Sequence, residues 1–138
     1  MTFRSAAINR GIEGGAVVDY RLQRRGLISD YRKGRLSQVD VCDAHPELIR
    51  AAEQYSRPAS EPCPICENDS LVHVTYVFGP QLPAFGRCVA TLEELSRLAQ
   101  RSSAAGDAFT VYVVEVCRGC HWNHLSRVFP LAGRPTRP

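Results

Sequence analysis

Four cysteines carry the clearest chemistry in the sequence. Cys63-Pro64-Ile65-Cys66 and Cys117-Arg118-Gly119-Cys120 are two C-x-x-C pairs. The two intervening residues let both sulfurs of a pair reach one ion while backbone N–H groups of the turn face the sulfurs. Two such pairs supply the four soft thiolates that Zn²⁺ takes in a tetrahedral structural site. The pattern predicts one Zn²⁺ held by Cys63, Cys66, Cys117 and Cys120. Gly119 suits a turn position that needs positive φ. Two unrelated pairs of reduced thiols are the competing reading, and it does not explain why both pairs fall at predicted strand ends. Fifty residues separate Cys66 from Cys117, against about 15–20 in a common ribbon. The stretch between is read as an insertion that thickens the domain.

Other side chains are weaker ligand candidates. His124 follows Cys120 at a spacing that brings it within reach of the ion, but a non-ligand role is the stronger reading for it and for His121. His73 lies inside a strand pattern and reads as a satisfied side chain. Cys88 reads as a small buried hydrophobe. Cys42-Asp43-Ala44-His45 supplies two ligands of a second site, and a buried cysteine with a helix-capping histidine is the simpler reading. His45-Pro46-Glu47 and Pro62-Cys63-Pro64-Ile65-Cys66 match the letters of the zinc nucleobase deaminases. The 14 residues from Glu47 to Pro62 are too few for the strand and loop between those motifs, and Cys63 opens a turn into a strand. A thioredoxin-like role needs a C-x-x-C at a helix N-terminus in a βαβ unit, which neither pair has.

The elements that must position the cysteines are legible in outline. Residues 16–36 read as helical, with Val18, Leu22 and Arg25 on one face, a possible break at Gly26 and an end at Gly34. Ser37 and Asp40 form a possible helix start. Pro46 suits the first position of a helix capped by Asp43 or His45, with Leu48, Ala52 and Tyr55 on one face. Residues 57–62, RPASEP, read as a linker. Residues 72–78 alternate as a half-buried strand, and Arg87-Cys88-Val89 as a short one. Thr91 and Glu94 form a capping box for a helix to about Ser102, with Leu92, Leu95, Leu98 and Ala99 inward. Phe109–Val116 is a near-continuous apolar strand. A last strand runs from about Trp122 to Phe129. The fold class expected is α+β: a zinc-ribbon-like antiparallel sheet with a helical insertion and an N-terminal helical segment. The domains read as a basic helical segment at 1–56, the cysteine domain at 63–131 and a flexible tail at 132–138, after a poorly ordered start at 1–15.

Composition limits the function classes. The chain has 138 residues and a 44% hydrophobic fraction, which fits one domain or one with an appendage. No run approaches the ~18 apolar residues of a membrane span, and the N-terminus lacks the apolar core of a signal peptide. Six cysteines without such a leader favour metal in a reducing cytoplasm over disulfides. The net charge is +3, but residues 1–40 hold eight basic groups against four acidic ones, and the remainder is near balance. That asymmetry points to nucleic acid or an acidic protein, with a solvated helix face as the plain alternative.

The segments VDVCDAHPELIRAA, PCPIC, HVTYVFG and VYVVEVCRGCHWNHL resemble a family of small actinobacterial proteins classified as a domain of unknown function. The resemblance runs from about residue 18 to residue 131 and implies zinc and an actinobacterial source, but no activity.

The function expected is a non-enzymatic, zinc-stabilised module that binds nucleic acid or a nucleic-acid machine, RNA polymerase or the ribosome. Arg24, Arg25, Arg32, Lys33 and Arg35 would meet phosphate, and Trp122 would stack, although a core or shell aromatic is the stronger reading for Trp122. The stretch 22–55 is a possible helix-turn-helix. The alternative is a protein–protein adaptor without nucleic-acid contact, and the least favoured reading is a zinc-dependent deaminase-like enzyme. No membrane and no small-molecule substrate are expected.

Overall fold

The computed structural model describes residues 17–105 and 109–131. The expectations for residues 1–15 and 132–138 lie outside the described residues. The elements run β1 (Val18–Asp19), α1 (Arg21–Arg32), α2 (Gln38–Val41), α3 (Pro46–Gln54), β2 (Arg57–Pro62), β3 (Ser70–Phe78), β4 (Arg87–Val89), α4 (Leu92–Ala105), β5 (Thr110–Val116) and β6 (Asn123–Pro130). The fold is α+β, with an open antiparallel sheet of six strands in the order β1-β6-β5-β3-β2, and β4 also on β3.

Strand β5 is central, as its near-continuous apolar sequence predicts. Every residue from Val111 to Val116 is buried, as a strand covered on both faces requires. One face of β3 and β5 presents Val72, Val74, Tyr76, Tyr112, Val114 and Val116 to α3, which contributes Leu48, Ala51 and Ala52. The other face packs Val77, Val111 and Val113 with Val89, Leu98 and Phe109. Removing Leu48 from water stabilises this packing by about 2 kcal/mol.

Local signals fix most element ends. Ser37 and Asp40 form a reciprocal capping box at α2. Pro46 occupies the first turn of α3, and His45 Nδ1 accepts the Glu47 N–H at 3.1 Å. The Glu94 N–H donates to Thr91 Oγ1 at 3.1 Å, and Glu94 Oε1 accepts the Ala90 N–H at 3.0 Å. Gly34 ends the α1 segment with φ +79.

Four sequence expectations are corrected. Residues 57–62 are edge strand β2 rather than a linker. Prolines are tolerated there because an edge leaves one side of the ladder unpaired, and the register shifts between Pro58 and Pro62. Gly26 does not break α1, which runs unbroken through it. Leu92 is exposed rather than inward. The stretch 22–55 is not a helix-turn-helix: α2 is a four-residue turn, and the apolar face of α3 is buried on the sheet.

Candidate metal centre

The fifty-residue separation between the cysteine pairs is closed by one strand pairing. Residues 72–78 of β3 run antiparallel to residues 110–116 of β5, with Val72 opposite Val116. The turn before β3 and the turn after β5 therefore lie side by side at one end of the sheet. Cys63 and Cys66 sit in the first turn, Cys117 and Cys120 in the second.

The two turns share a backbone plan. In each, the N–H of the residue after the second cysteine donates to the carbonyl of the first: Glu67 to Cys63 at 3.1 Å, His121 to Cys117 at 2.9 Å. Those same residues take positive φ, +61 at Glu67 and +73 at His121. Each turn is closed at its base, Cys63 N–H to Asp69 O and Cys117 N–H to Trp122 O, both 2.8 Å. The expectation of positive φ at Gly119 is corrected, since the left-handed residue of that turn is His121. Gly119 is needed for a different reason: a Cβ there would overlap the carboxylate of Asp69, reaching across from the first turn.

The four sulfurs converge. Among the described residues, the Sγ atoms of Cys63, Cys66, Cys117 and Cys120 all lie within 4.8 Å of one another. Cys63 and Cys120 are 3.6 Å apart, and Cys66 and Cys117 are 3.7 Å apart. A tetrahedron with metal–sulfur bonds of ~2.3 Å has edges of ~3.8 Å, so the sulfur set fits one ion at its centre. Backbone N–H groups already face the sulfurs: Ile65 to Cys63 and Cys120 to Cys117, each at 3.4 Å.

Electrostatics favour a cation at this place. Burial pushes the Cys63 thiol far up and the Cys120 thiol to about 12. Burial also opposes ionisation of Cys66, but N–H groups of Asn68 and Asp69 aimed at its sulfur outweigh it and bring the thiol down to about 7. Four thiolates packed this closely repel one another, and a divalent ion removes that repulsion and the proton requirement together.

The N-terminal segment packs on this end. Ile28, Val41, Ile65, Leu71 and Trp122 form one buried cluster with Cys63 and Cys117, bordered by Leu27, Tyr31, Leu36 and Cys42. Trp122 is corrected as a stacking surface: it is wholly buried, and its Nε1–H donates to Glu115 Oε2 at 2.7 Å. Arg24 is likewise turned inward, its Nε–H reaching the same oxygen at 2.7 Å. Arg25, Arg32, Lys33 and Arg35 are exposed, and Arg35 pairs with Asp30 at 3.4 Å.

The weaker ligand candidates stay outside the cluster. His124 is buried and stacked on Trp122, ring centroids 5.9 Å apart. His73 is half-buried opposite Glu115, and its pKa is lowered chiefly by burial. Cys88 packs against the main core, and burial raises its thiol to about 11. His45 caps α3 and does not join Cys63 and Cys66.

Two features escaped the sequence reading. Glu115 is the one acid in an apolar strand, a signal that a buried partner must exist. Cys42 Sγ lies 3.4 Å from Cys120 Sγ, whereas the sequence spacing groups Cys42 with His45. Between α1 and the first turn lies an open groove of about 590 Å³, lined by Arg21, Arg24, Arg25, Ile28, Ser29, Arg32, Lys33 and Pro64. No helix among the described residues is long and apolar enough to cross a membrane.

Comparison with known proteins agrees with the resemblance seen in the sequence. Uncharacterized protein Rv0049 of Mycobacterium tuberculosis H37Rv is 46% identical over 122 residues, covering 88% of this chain and 86% of the relative. Uncharacterized protein Mb0050 of Mycobacterium bovis matches to the same extent. No solved structure matches the chain significantly. A family described as "family of unknown function (DUF5318)" matches residues 12–138, and the chain therefore belongs to that family.

Proposed function

We propose that this chain is a non-enzymatic module, stabilised by one zinc ion, that binds nucleic acid through the basic face of α1. Zinc fits the four-sulfur set because it is satisfied by a tetrahedron of thiolates and needs no further ligand. A catalytic zinc keeps one position for water, and four converging sulfurs leave none. The reducing cytoplasm is the compartment that suits such a site.

The observation that carries the nucleic-acid reading is the groove beside Pro64. Five of its lining residues are basic. Among the described residues, Arg25, Arg32 and Lys33 form no ion pair, so their charge faces solvent uncompensated. Arg25 and Arg32 stand two turns apart on one face of α1, with Lys33 at its C-cap, a row of charge that suits a line of phosphates. Nucleic acid presented by RNA polymerase or the ribosome would offer the same chemistry as a free strand.

Binding of labelled DNA and RNA, followed by anisotropy across a potassium chloride series, tests this. Affinity should fall steeply with salt, and Arg25→Glu/Arg32→Glu/Lys33→Glu should remove it. Binding that ignores both salt and the triple substitution would overturn the reading in favour of a protein adaptor.

A further inference from the structure

Cys42 is a fifth thiol at the metal centre, and a four-sulfur site has no place for it. Its Sγ stands 3.4 Å from Cys120 Sγ, closer than the 3.6 Å and 3.7 Å that separate Cys63 from Cys120 and Cys66 from Cys117. The approach is built into the backbone. The Ala44 N–H donates to His121 O at 3.1 Å, and Asn123 Nδ2 donates to Asp43 Oδ1 at 2.9 Å. The loop carrying Cys42 is thus tied on its C-terminal side to the turn that carries Cys120. On its N-terminal side, Val41 is buried against the same turn's cluster.

Exposure separates the sulfurs into two classes. Cys63 and Cys117 are 1% and 0% exposed, whereas Cys42, Cys66 and Cys120 are half-buried. A small oxidant reaches the second class first, and within it Cys42 and Cys120 are the pair that stands 3.4 Å apart.

We propose that Cys42 and Cys120 are an oxidation site: a disulfide between them takes Cys120 off the metal and releases the ion. The proposal rests on the metal reading given above. The oxidant is a hydroperoxide. Cys42 thiol is oxidised to the sulfenic acid as the O–O bond breaks and the peroxide leaves as an alcohol or water. Cys120 thiolate then leaves the metal and attacks the Cys42 sulfur. The S–S bond forms, the S–O bond breaks, and hydroxide departs and takes up a proton. Two thiols have lost two electrons, the peroxide has gained them, and the ion keeps only Cys63, Cys66 and Cys117. The sulfurs must close by about 1.4 Å to reach a disulfide length of ~2.05 Å, a shift within reach of side-chain rotation. A dithiol reductant reverses the step.

The test uses the full chain, wild type and Cys42→Ala, with Cys88→Ala as a control that also removes one thiol. Metal content of the reduced proteins is measured first; a wild type without metal sinks the metal reading separately. Hydrogen peroxide is then added, metal release is followed with a chromogenic chelator, and disulfides are located by non-reducing peptide mapping. The expected result is a Cys42–Cys120 link appearing with metal release, and release at least about tenfold slower in Cys42→Ala, because the preplaced partner is gone. Cys88→Ala should behave as wild type. Cys42→Ser, which keeps a polar group at the site, guards against a packing effect. Equal release rates in wild type and both Cys42 variants would overturn the proposal. A map showing only Cys63–Cys66 or Cys117–Cys120 links would also overturn it, and the map answers whether or not metal is bound.

Discussion

Arg24 Nε lies 2.7 Å from Glu115 Oε2, joining helix α1 to the central strand. Glu115 is 3% exposed and would be an uncompensated charge without this partner. The same oxygen accepts Trp122 Nε1–H, so one carboxylate locks helix, strand and the residue just after the second cysteine turn. Removing one member of a buried pair costs about 3–5 kcal/mol. Arg24 is a quarter exposed at its side chain, which puts Arg24→Met near the lower end, about 3 kcal/mol. Arg24→Met/Glu115→Gln should recover much of that loss. Urea unfolding of the single and double variants checks it, and additive effects would mean the pair is not coupled.

Metal removal should unfold the end of the molecule that holds α1. The four sulfurs line the same buried cluster as Ile28, Val41 and Trp122, so ion binding there would couple to packing. Coupling of only ~4 kcal/mol corresponds to a fall in Tm of about 15 °C for a chain of this size. A chelator, or any one of Cys63→Ser, Cys66→Ser, Cys117→Ser and Cys120→Ser, should produce it. Cys88→Ala should keep the full metal content. Differential scanning fluorimetry with and without chelator decides the matter.

The charge-reversal experiment depends on choosing residues by position. Arg25→Glu/Arg32→Glu/Lys33→Glu alters only exposed side chains and should leave Tm within a few degrees while abolishing salt-sensitive nucleic-acid binding. Arg24→Glu, by contrast, would set a second carboxylate against Glu115 and destabilise the fold. Binding and melting measured on both variants separate the two effects.

Gly119→Ala probes the contact between the two turns. Its Cβ would collide with the Asp69 carboxylate. Asp69 is exposed and its side chain can swing away, so the cost should be about 1 kcal/mol, at the low end for overpacking. Asp69→Ala in the Gly119→Ala background should restore stability. A Gly119→Ala protein as stable as wild type would show that the two turns are not in contact at this point.

The sequence by itself picked out the four cysteines that converge, most element types and most element ends. Two C-x-x-C pairs state their chemistry through spacing alone, and Ser37, Pro46 and Thr91 state helix starts through local hydrogen bonding that no distant residue can alter. The run from Val111 to Val116, apolar but for Glu115, predicts an interior strand. What the tertiary structure decided was everything that depends on register and on partners far along the chain. The pairing of Val72 with Val116 brought cysteines fifty residues apart to one point. An edge position made a strand of the proline-containing segment 57–62. Trp122 and Arg24 look like surface contacts in a basic sequence, and both face Glu115 because a buried carboxylate must find donors wherever the chain can supply them. Cys42 could not be assigned to Cys120 from spacing, since they lie 78 positions apart and only the packing of α2 against the second turn places one sulfur beside the other.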